Sequence, residues 1–368
     1  MARRSTRATT AIAAALVFGL TACGGGGGSS SGGGSGSSGS SGGEAQGKVG
    51  VILPDTESSV RWESFDRPYL EAAFKDAGVE ADIQNAEGDA SRMATIADQM
   101  ITGGATVLAI VNLDSASGAQ IQQKAADQGV STIDYDRLTL GGKSEYYVSF
   151  DNTEVGKLQG EGLAKCLGDK PANIAFLNGS PDDNNATLFA QGAHGVLDAM
   201  KNYKQVAEQA VPGWDNQQAA TIFEQMYTQA DGDIQGVLAA NDGLANSVIS
   251  VLQRNKAAGD VPVTGQDATV EGLQHILAGD QCMTVYKSVR EEAKALADLA
   301  VSLLKGEKGK TTGEVEDTEG GRQVPSVLLK PQAIFRDNVK DVVDDEFVKA
   351  DDLCTGDFAK ACSELGIK

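Results

Sequence analysis

Histidine is nearly absent from this chain of 368 residues, His194 and His275 being the only two. No Cys-x-x-Cys pair occurs either, so a zinc site has almost no ligands to draw on. Aromatic residues make up 5% of the sequence and include two tryptophans, Trp62 and Trp214. Positive charge is also scarce: 31 lysines and arginines stand against 51 aspartates and glutamates, a formal net charge of -20. A surface of that sign repels phosphate backbones and argues against nucleic acid as a partner. No apolar run approaches the roughly 20 residues of a spanning helix.

What is present begins at the N-terminus. Arg3, Arg4 and Arg7 precede an apolar stretch at 11–20 that stops at Leu20-Thr21-Ala22-Cys23. Residues 1–23 therefore read as a signal peptide, and its end resembles the lipobox of bacterial lipoproteins, with Cys23 as the lipidated residue. Export and anchoring to the outer face of the cytoplasmic membrane follow as expectations. Residues 24–45 are dominated by glycine and serine and cannot bury apolar surface, which makes them a flexible tether. Beyond Cys23 there are four cysteines, an even number in a chain sent to an oxidising compartment, so disulfides are expected. Cys354 and Cys362 are close enough to staple a short loop or helix pair. Cys166 and Cys282 then pair by elimination.

The body alternates short apolar runs with amphipathic stretches of helical length. Strands are expected at 48–53, 106–111, 130–133, 146–150, 173–177, 234–239, 262–265 and 283–285, and helices at 65–77 and 116–128. Met93, Ile96, Ala97, Met100 and Ile101 recur at helical spacing and mark one helix face. Repetition of this unit implies an α/β protein with parallel sheet covered by helices on both faces. There are too many units for one sheet of ordinary size, which favours two lobes.

In open α/β sheets the ligand lies beyond the carboxyl ends of the strands. Those positions here read Pro54-Asp55, Asp134-Tyr135-Asp136-Arg137, Asp151-Asn152, Gly179-Ser180-Pro181-Asp182-Asp183-Asn184-Asn185, Asn241-Asp242 and Gly265-Gln266-Asp267. Nearly every strand end carries Asp, Asn or Arg. Sugars demand such a lining, because each hydroxyl both donates and accepts and planar polar groups satisfy neighbouring hydroxyls in pairs. Taken singly, Asn152 and Asn184 serve equally well as helix N-caps. Trp62 and Trp214 sit among polar neighbours and suit the flat C–H face of a pyranose; a place in the core is the alternative.

These residues resemble the type I periplasmic binding proteins for sugars. The resemblance runs from 48 to 331 and is carried by Arg61-Trp62 followed by Asp66-Arg67, Tyr135-Asp136-Arg137, Ser149-Phe150-Asp151-Asn152, Gly179-Ser180-Pro181 followed by Asp183-Asn184-Asn185-Ala186, Asn241-Asp242, Gly265-Gln266-Asp267-Ala268 and Thr284-Val285-Tyr286-Lys287. It implies two Rossmann-like three-layer lobes joined by three hinge crossings, near 150–151, 285–286 and 325–326. The N-terminal lobe would hold 46–150 and 286–324, and the C-terminal lobe 151–285 and 325–368. It also implies a solute receptor of an ABC-type importer that works without cofactor, metal or catalysis, as a monomer that delivers its sugar to a membrane permease. Xylose is the preferred ligand and glucose the second.

Carried over by position, Arg61 and Arg137 would donate to hydroxyls from the first lobe, and Asp183, Asn185, Asn241 and Asp267 would bind from the second. Trp62 and Trp214 would sandwich the ring. Lys287 would donate from beside a hinge, and Asp136 would bind or orient Arg137. For a neutral ligand the three basic residues should be balanced by Asp136, Asp183 and Asp267. Two departures stand out: the stretch between Trp62 and Asp66 is one residue longer than the family pattern, and the C-terminal extension with Cys354 and Cys362 has no counterpart in it.

Rival readings are weaker. Asp183 and Asp267 as a glycosidase pair have no independent support. Gly309-Lys310-Thr311 is not a phosphate loop, because Leu304 stands where that motif needs glycine. A sugar-responsive repressor is opposed by the export signal and the lack of a basic DNA-binding segment. A chemotaxis or signalling receptor would use the same bound form.

Overall fold

The computed structural model describes residues 47–368. The expected signal peptide, Cys23 and the tether at 24–45 lie outside the described residues.

Parallel strand and helix alternate first through β1 (Lys48–Leu53), α1 (Arg67–Asp76), β2 (Glu80–Asn85), α2 (Ala90–Thr102), β3 (Ala105–Ile110), α3 (Ser115–Asp127), β4 (Ser131–Tyr135) and β5 (Tyr146–Phe150). The alternation continues through α4 (Asn152–Leu167), β6 (Ala172–Asn178), α5 (Asn184–Leu197), β7 (Tyr203–Ala210), α6 (Asn216–Gln229), β8 (Gly236–Ala239), α7 (Asp242–Arg254), α8 (Val270–Ala278) and β9 (Thr284–Tyr286). The chain then returns with α9 (Val289–Leu304), β10 (Gly313–Asp317) and β11 (Arg322–Leu329). It ends in β12 (Gln332–Ile334), α10 (Lys340–Asp344), α11 (Ala350–Leu353) and α12 (Phe358–Glu364).

The first sheet has the order β10-β11-β5-β4-β3-β1-β2 and is parallel except for the β10–β11 hairpin. β1 is buried along almost its whole length because it lies inside the sheet with helices on both faces. Val49, Val51 and Leu53 point to α1 and α9, while Ile52 points to α2 and α3 among Met93, Ile96, Met100 and Ile121. α2 buries Met93, Ile96, Ala97 and Met100 of the residues its spacing singled out and half-buries Ile101, and Asp89 caps it by accepting from the amides of Ser91 and Arg92.

In the second sheet β6 lies between β7 and β8, all parallel, and β9 pairs antiparallel with β12 in a separate two-stranded sheet. The strand expected at 262–265 is reduced to a single bridge between Val263 and Val237. It still threads between its neighbours, since Val237 N donates to Pro262 O and Cys282 N to Val263 O. α4 and α5 touch backbone to backbone: a Cβ on Gly156 would fall 1.8 Å from Phe189 O, so only glycine permits this approach.

β11 and β12 have no counterpart among the strands expected from the sequence, and neither do the edge strands β2, β7 and β10. Their residues are largely exposed or half-buried, so the apolar signal that marked the interior strands is missing. A second correction concerns the third crossing. Residues Ser326–Leu329 pair with Tyr147–Phe150 in the first sheet, so the chain leaves that sheet after Leu329 and not at 325–326. The hydrogen bond from Asp151 N to Leu329 O sets the first and third crossings side by side.

Both expected disulfides are present. Cys166–Cys282 ties α4 to the segment before β9, with Cα atoms 6.5 Å apart, and Cys354–Cys362 ties α11 to α12 at 5.8 Å. The C-terminal segment packs on α8 through Leu273, Ile276, Leu353, Cys362 and Ile367. From it Phe347 reaches out and stacks on Phe65, with ring centroids 4.2 Å apart.

Candidate ligand-binding site

The loop after β1 is folded on Asp55, whose carboxylate accepts from the amides of Glu57 and Ser58 and from the Ser58 hydroxyl. Ser58 Oγ in turn accepts from Trp62 Nε1 at 3.0 Å, which fixes the indole. A π-helical turn spans Trp62–Asp66, the stretch expected to be one residue longer than the family pattern. Arg61 and Trp62 stay at the cavity, both 2% exposed.

After β4 the backbone of Asp136 is left-handed, with φ at 60°. This costs about 1–3 kcal/mol for a non-glycine residue. Its surroundings hold it there: the carbonyl accepts from Tyr147 Oη at 3.0 Å, Ser149 Oγ at 2.8 Å and Asn185 Nδ2 at 2.9 Å. Asn185 belongs to α5, so this bond joins the two sheets' loops. Asn152 is not a cap; its Nδ2 donates to Tyr147 Oη, Ser149 Oγ and Asn185 Oδ1 and steadies the same cluster. The cap of α4 is Asp151.

Capping and lining are not exclusive. Asp183 Oδ1 caps α5 by accepting from Asn185 N, while its Oδ2 accepts from Trp214 Nε1 at 3.1 Å. Asn241 caps α7 by accepting from Leu244 N and also lines the cavity. Trp214 lies over Gly179, where a Cβ would meet the indole at 2.0 Å. Glycine after β6 is therefore required for the ring to lie where it does. Phe189 meets Trp214 edge-on at 6.5 Å.

All ten residues expected at the site, Arg61, Trp62, Asp136, Arg137, Asp183, Asn185, Trp214, Asn241, Asp267 and Lys287, line one cavity. Gln266, part of the Gly265-Gln266-Asp267 strand end, lines it as well, as do Ser58, Ser59 and Phe189, which were not singled out in the sequence. Phe189 had a usable signal, since it stands four residues after Asn185 on one helix face. The serines had none.

The electrostatics differ from the expected balance. Arg61 donates through Nε and Nη2 to Asp66 at 2.8 Å each, through Nη2 to Glu292 at 2.7 Å and through Nη1 to Asp136 at 2.8 Å. Four of its five N–H donors are committed, so Arg61 organises the acids around it more than it faces a ligand. Asp66 and Glu292 thus join the expected carboxylates, and both are fully buried. Burial works against the Arg61 charge, but Asp66, Asp136 and Glu292 outweigh it and raise the guanidinium well above its usual value. Burial pushes Glu292 well up, with Asp136 and Asp66 adding to the effect and Arg61 opposing it. Burial would raise Asp136 too, yet Arg61, Lys287 and Arg137 together hold it below the ordinary range.

The other cations face the cavity less encumbered. Lys287 Nζ lies 3.5 Å from Asp267 Oδ1 and 3.8 Å from Asp136 Oδ2. Arg137 Nε is 3.0 Å from Asp183 Oδ2 but not aligned for a hydrogen bond. Arg137 Nε, Gln266 Oε1 and Asp267 Oδ1 are buried polar atoms with no hydrogen-bond partner among the described residues, which equips them to receive a polar ligand. The rings are engaged by cations as well: Arg61 lies 4.5 Å and Arg137 5.4 Å from the Trp62 ring centroid.

Residues 49–308 match the family model described as periplasmic binding protein domain. The chain belongs to the periplasmic binding protein family. Among family relatives, it is 33% identical over 311 residues to the D-xylose-binding periplasmic protein of Escherichia coli (strain K12), covering 83% of this chain and 92% of that one. It is 34% identical over 333 residues to the multiple sugar-binding periplasmic receptor ChvE of Rhizobium radiobacter, covering 84% and 92%. The fold superposes on a solute-binding protein of an ABC transporter from Clostridium phytofermentans, solved with β-D-glucose, with a TM-score of 0.77 and 29% identity over 83% of this chain and 99% of that one. A carbohydrate transporter solute-binding protein from Chloroflexus aurantiacus, solved with D-glucose, gives 0.76 at 27% identity, covering 83% and 97%. The type I periplasmic binding protein fold expected from the sequence is thus the fold of this chain.

Proposed function

We propose that this protein is the extracytoplasmic receptor of an ABC-type sugar importer and binds D-xylose or a closely similar monosaccharide. The observation that carries the reading is the convergence of ten polar and aromatic side chains from the ends of both sheets on one buried cavity. The xylose-binding and multiple-sugar-binding relatives support it. Asp183, Asn185, Asn241 and Asp267 would take ring hydroxyls from one side and Arg137 and Lys287 from the other. Trp62 and Trp214 would cover the ring faces, and Arg61 would hold Asp136 in place from behind. The ligand would be released intact, so no catalytic residue is assigned. Export, attachment through a lipid on Cys23, delivery to a membrane permease and action as a monomer complete the reading.

Closure would follow from differential contact: only the closed arrangement touches the sugar from both lobes, so the ligand stabilises that state. Isothermal titration calorimetry against xylose, glucose, arabinose, ribose and galactose tests the proposal. Tight binding of one of them, lost in Trp214→Ala and Asp267→Ala, is the expected result. Failure of all five sugars to bind would overturn it.

A further inference from the structure

Beside the candidate sugar cavity lies a larger one of about 750 Å3, and Ser58, Ser59, Asn241 and Asp267 line both. Two hydrogen bonds form the partition between them. Ser59 Oγ donates to Asp267 Oδ2 at 3.1 Å, and Asn241 Nδ2 donates to Ser58 O at 3.5 Å. Both run from the loop after β1 to loops of the second sheet, and both are long enough for a ligand oxygen to replace them at little cost.

The walls of this outer cavity combine two chemistries. Val60, Phe65, Tyr69 and Phe347 give it an apolar side. Val60 is 57% exposed and is the one large hydrophobic side chain so exposed among the described residues. Opposite stand amides, including Asn246, whose Oδ1 is buried without a partner among the described residues. Apolar faces with amide and carboxylate edges suit a sugar ring, which is apolar on its faces and polar around its rim. Charge narrows the choice. Glu57, Glu271, Glu346 and Asp352 line the cavity against Lys349 alone, a field that repels anions.

We propose that the outer cavity is a second subsite, so that the protein also takes neutral two-ring glycosides, one ring in the inner cavity and the next in the outer. This rests on the reading of the inner cavity as a monosaccharide site. The linking oxygen would pass beside Ser59 and accept from its hydroxyl, while a ring hydroxyl of the glycoside would donate to Asp267 Oδ1, which has no hydrogen-bond partner among the described residues. Disaccharides bearing a uronic acid or a phosphate would be rejected.

Calorimetry on the full-length protein tests this with the monosaccharide that binds best and its β-1,4-linked disaccharide, xylobiose for xylose or cellobiose for glucose. Either ring of such a disaccharide can take the inner place. The expected result is disaccharide binding within about tenfold of the monosaccharide, weakened about 3- to 10-fold by Val60→Ala while monosaccharide binding is unchanged. A disaccharide with a glucuronic acid unit should bind at least about a hundredfold more weakly than the neutral one. Binding of the monosaccharide but not the disaccharide would overturn the second subsite and leave the monosaccharide reading standing. So would disaccharide binding insensitive to Val60→Ala. If neither sugar binds, both readings fall.

Discussion

Arg61 and Asp66 form a paired contact inside the protein, Nε and Nη2 of the guanidinium meeting the two carboxylate oxygens at 2.8 Å each. The same guanidinium reaches Asp136 and Glu292, so one cation serves three buried acids. Removing it takes the hydrogen-bonded cation from Asp66 and Glu292 and leaves Asp136 with Lys287 and Arg137 alone. Arg61→Met should lower unfolding free energy by about 3–5 kcal/mol. Arg61→Lys should recover only part of this, since a point charge cannot meet three carboxylates at once. Denaturant unfolding of both variants checks the expectation; equal stability of wild type and Arg61→Met would contradict it.

Gly179 and Trp214 are matched in shape. Because a Cβ at 179 would lie 2.0 Å from the indole, Gly179→Ala should push the ring from the cavity with little change in secondary structure. Sugar affinity should fall about 10- to 100-fold, as for Trp214→Ala, the loss expected for a ring that covers one face of the ligand. Titration calorimetry with circular dichroism separates this from unfolding.

Asp242 is fully buried at the start of α7, where its carboxylate accepts from Gln281, Thr284 and Thr269. Burial raises its pKa to about 7, and these hydrogen bonds only partly oppose it. The unfolded chain releases this proton near 3.9. Between those values the folded state holds a proton that the unfolded state has lost, so stability from this group is full at acidic pH and declines as pH rises toward 7. Asp134, raised by burial to about 6, acts in the same direction. Wild type should therefore lose stability relative to Asp242→Asn between pH 5 and 7.5, on the order of a few kcal/mol. A pH-independent difference between the two proteins would refute the assignment.

Most of the interior of the fold was legible in the sequence, β11 excepted, and its margins were not. β1 and β5 are buried and apolar, and their expected bounds match those in the structure. β2, β7 and β10 lie at sheet edges, where exposed polar residues carry no strand pattern. Strand-end positions supplied six of the ten residues that line the inner cavity, and Arg61, Trp62, Trp214 and Lys287 were assigned there through the family resemblance. Glu292 was hidden because an acid in the first turn of α9 reads as a partner of the helix dipole. Its contact with Arg61 spans 231 residues, which no local pattern announces. Asn152 and Asn184 read equally well as caps, but the caps are the aspartates one position earlier, Asp151 and Asp183.

The disulfide Cys354–Cys362 closes a short loop at the end of the C-terminal segment. Replacing both cysteines by serine should cost about 2 kcal/mol of stability, in line with the small loop. Monosaccharide affinity should stay within about threefold, because neither cysteine lines the inner cavity. Thermal unfolding and calorimetry on this double variant give both numbers.

The chain passes between the two sheets three times, after β5, after β9 and after β11, with two of the passages bonded side by side at Asp151 and Leu329. Three pins in one door frame leave the door a single way to swing. Sliding or twisting one half against the other would stretch at least one pin, whereas bending strains none of them. In the hinge motion proposed above, opening would be a narrow arc and not a wide tumbling search, so little freedom would be surrendered when the halves come together. That economy would leave more of the contact energy with the ligand to appear as affinity.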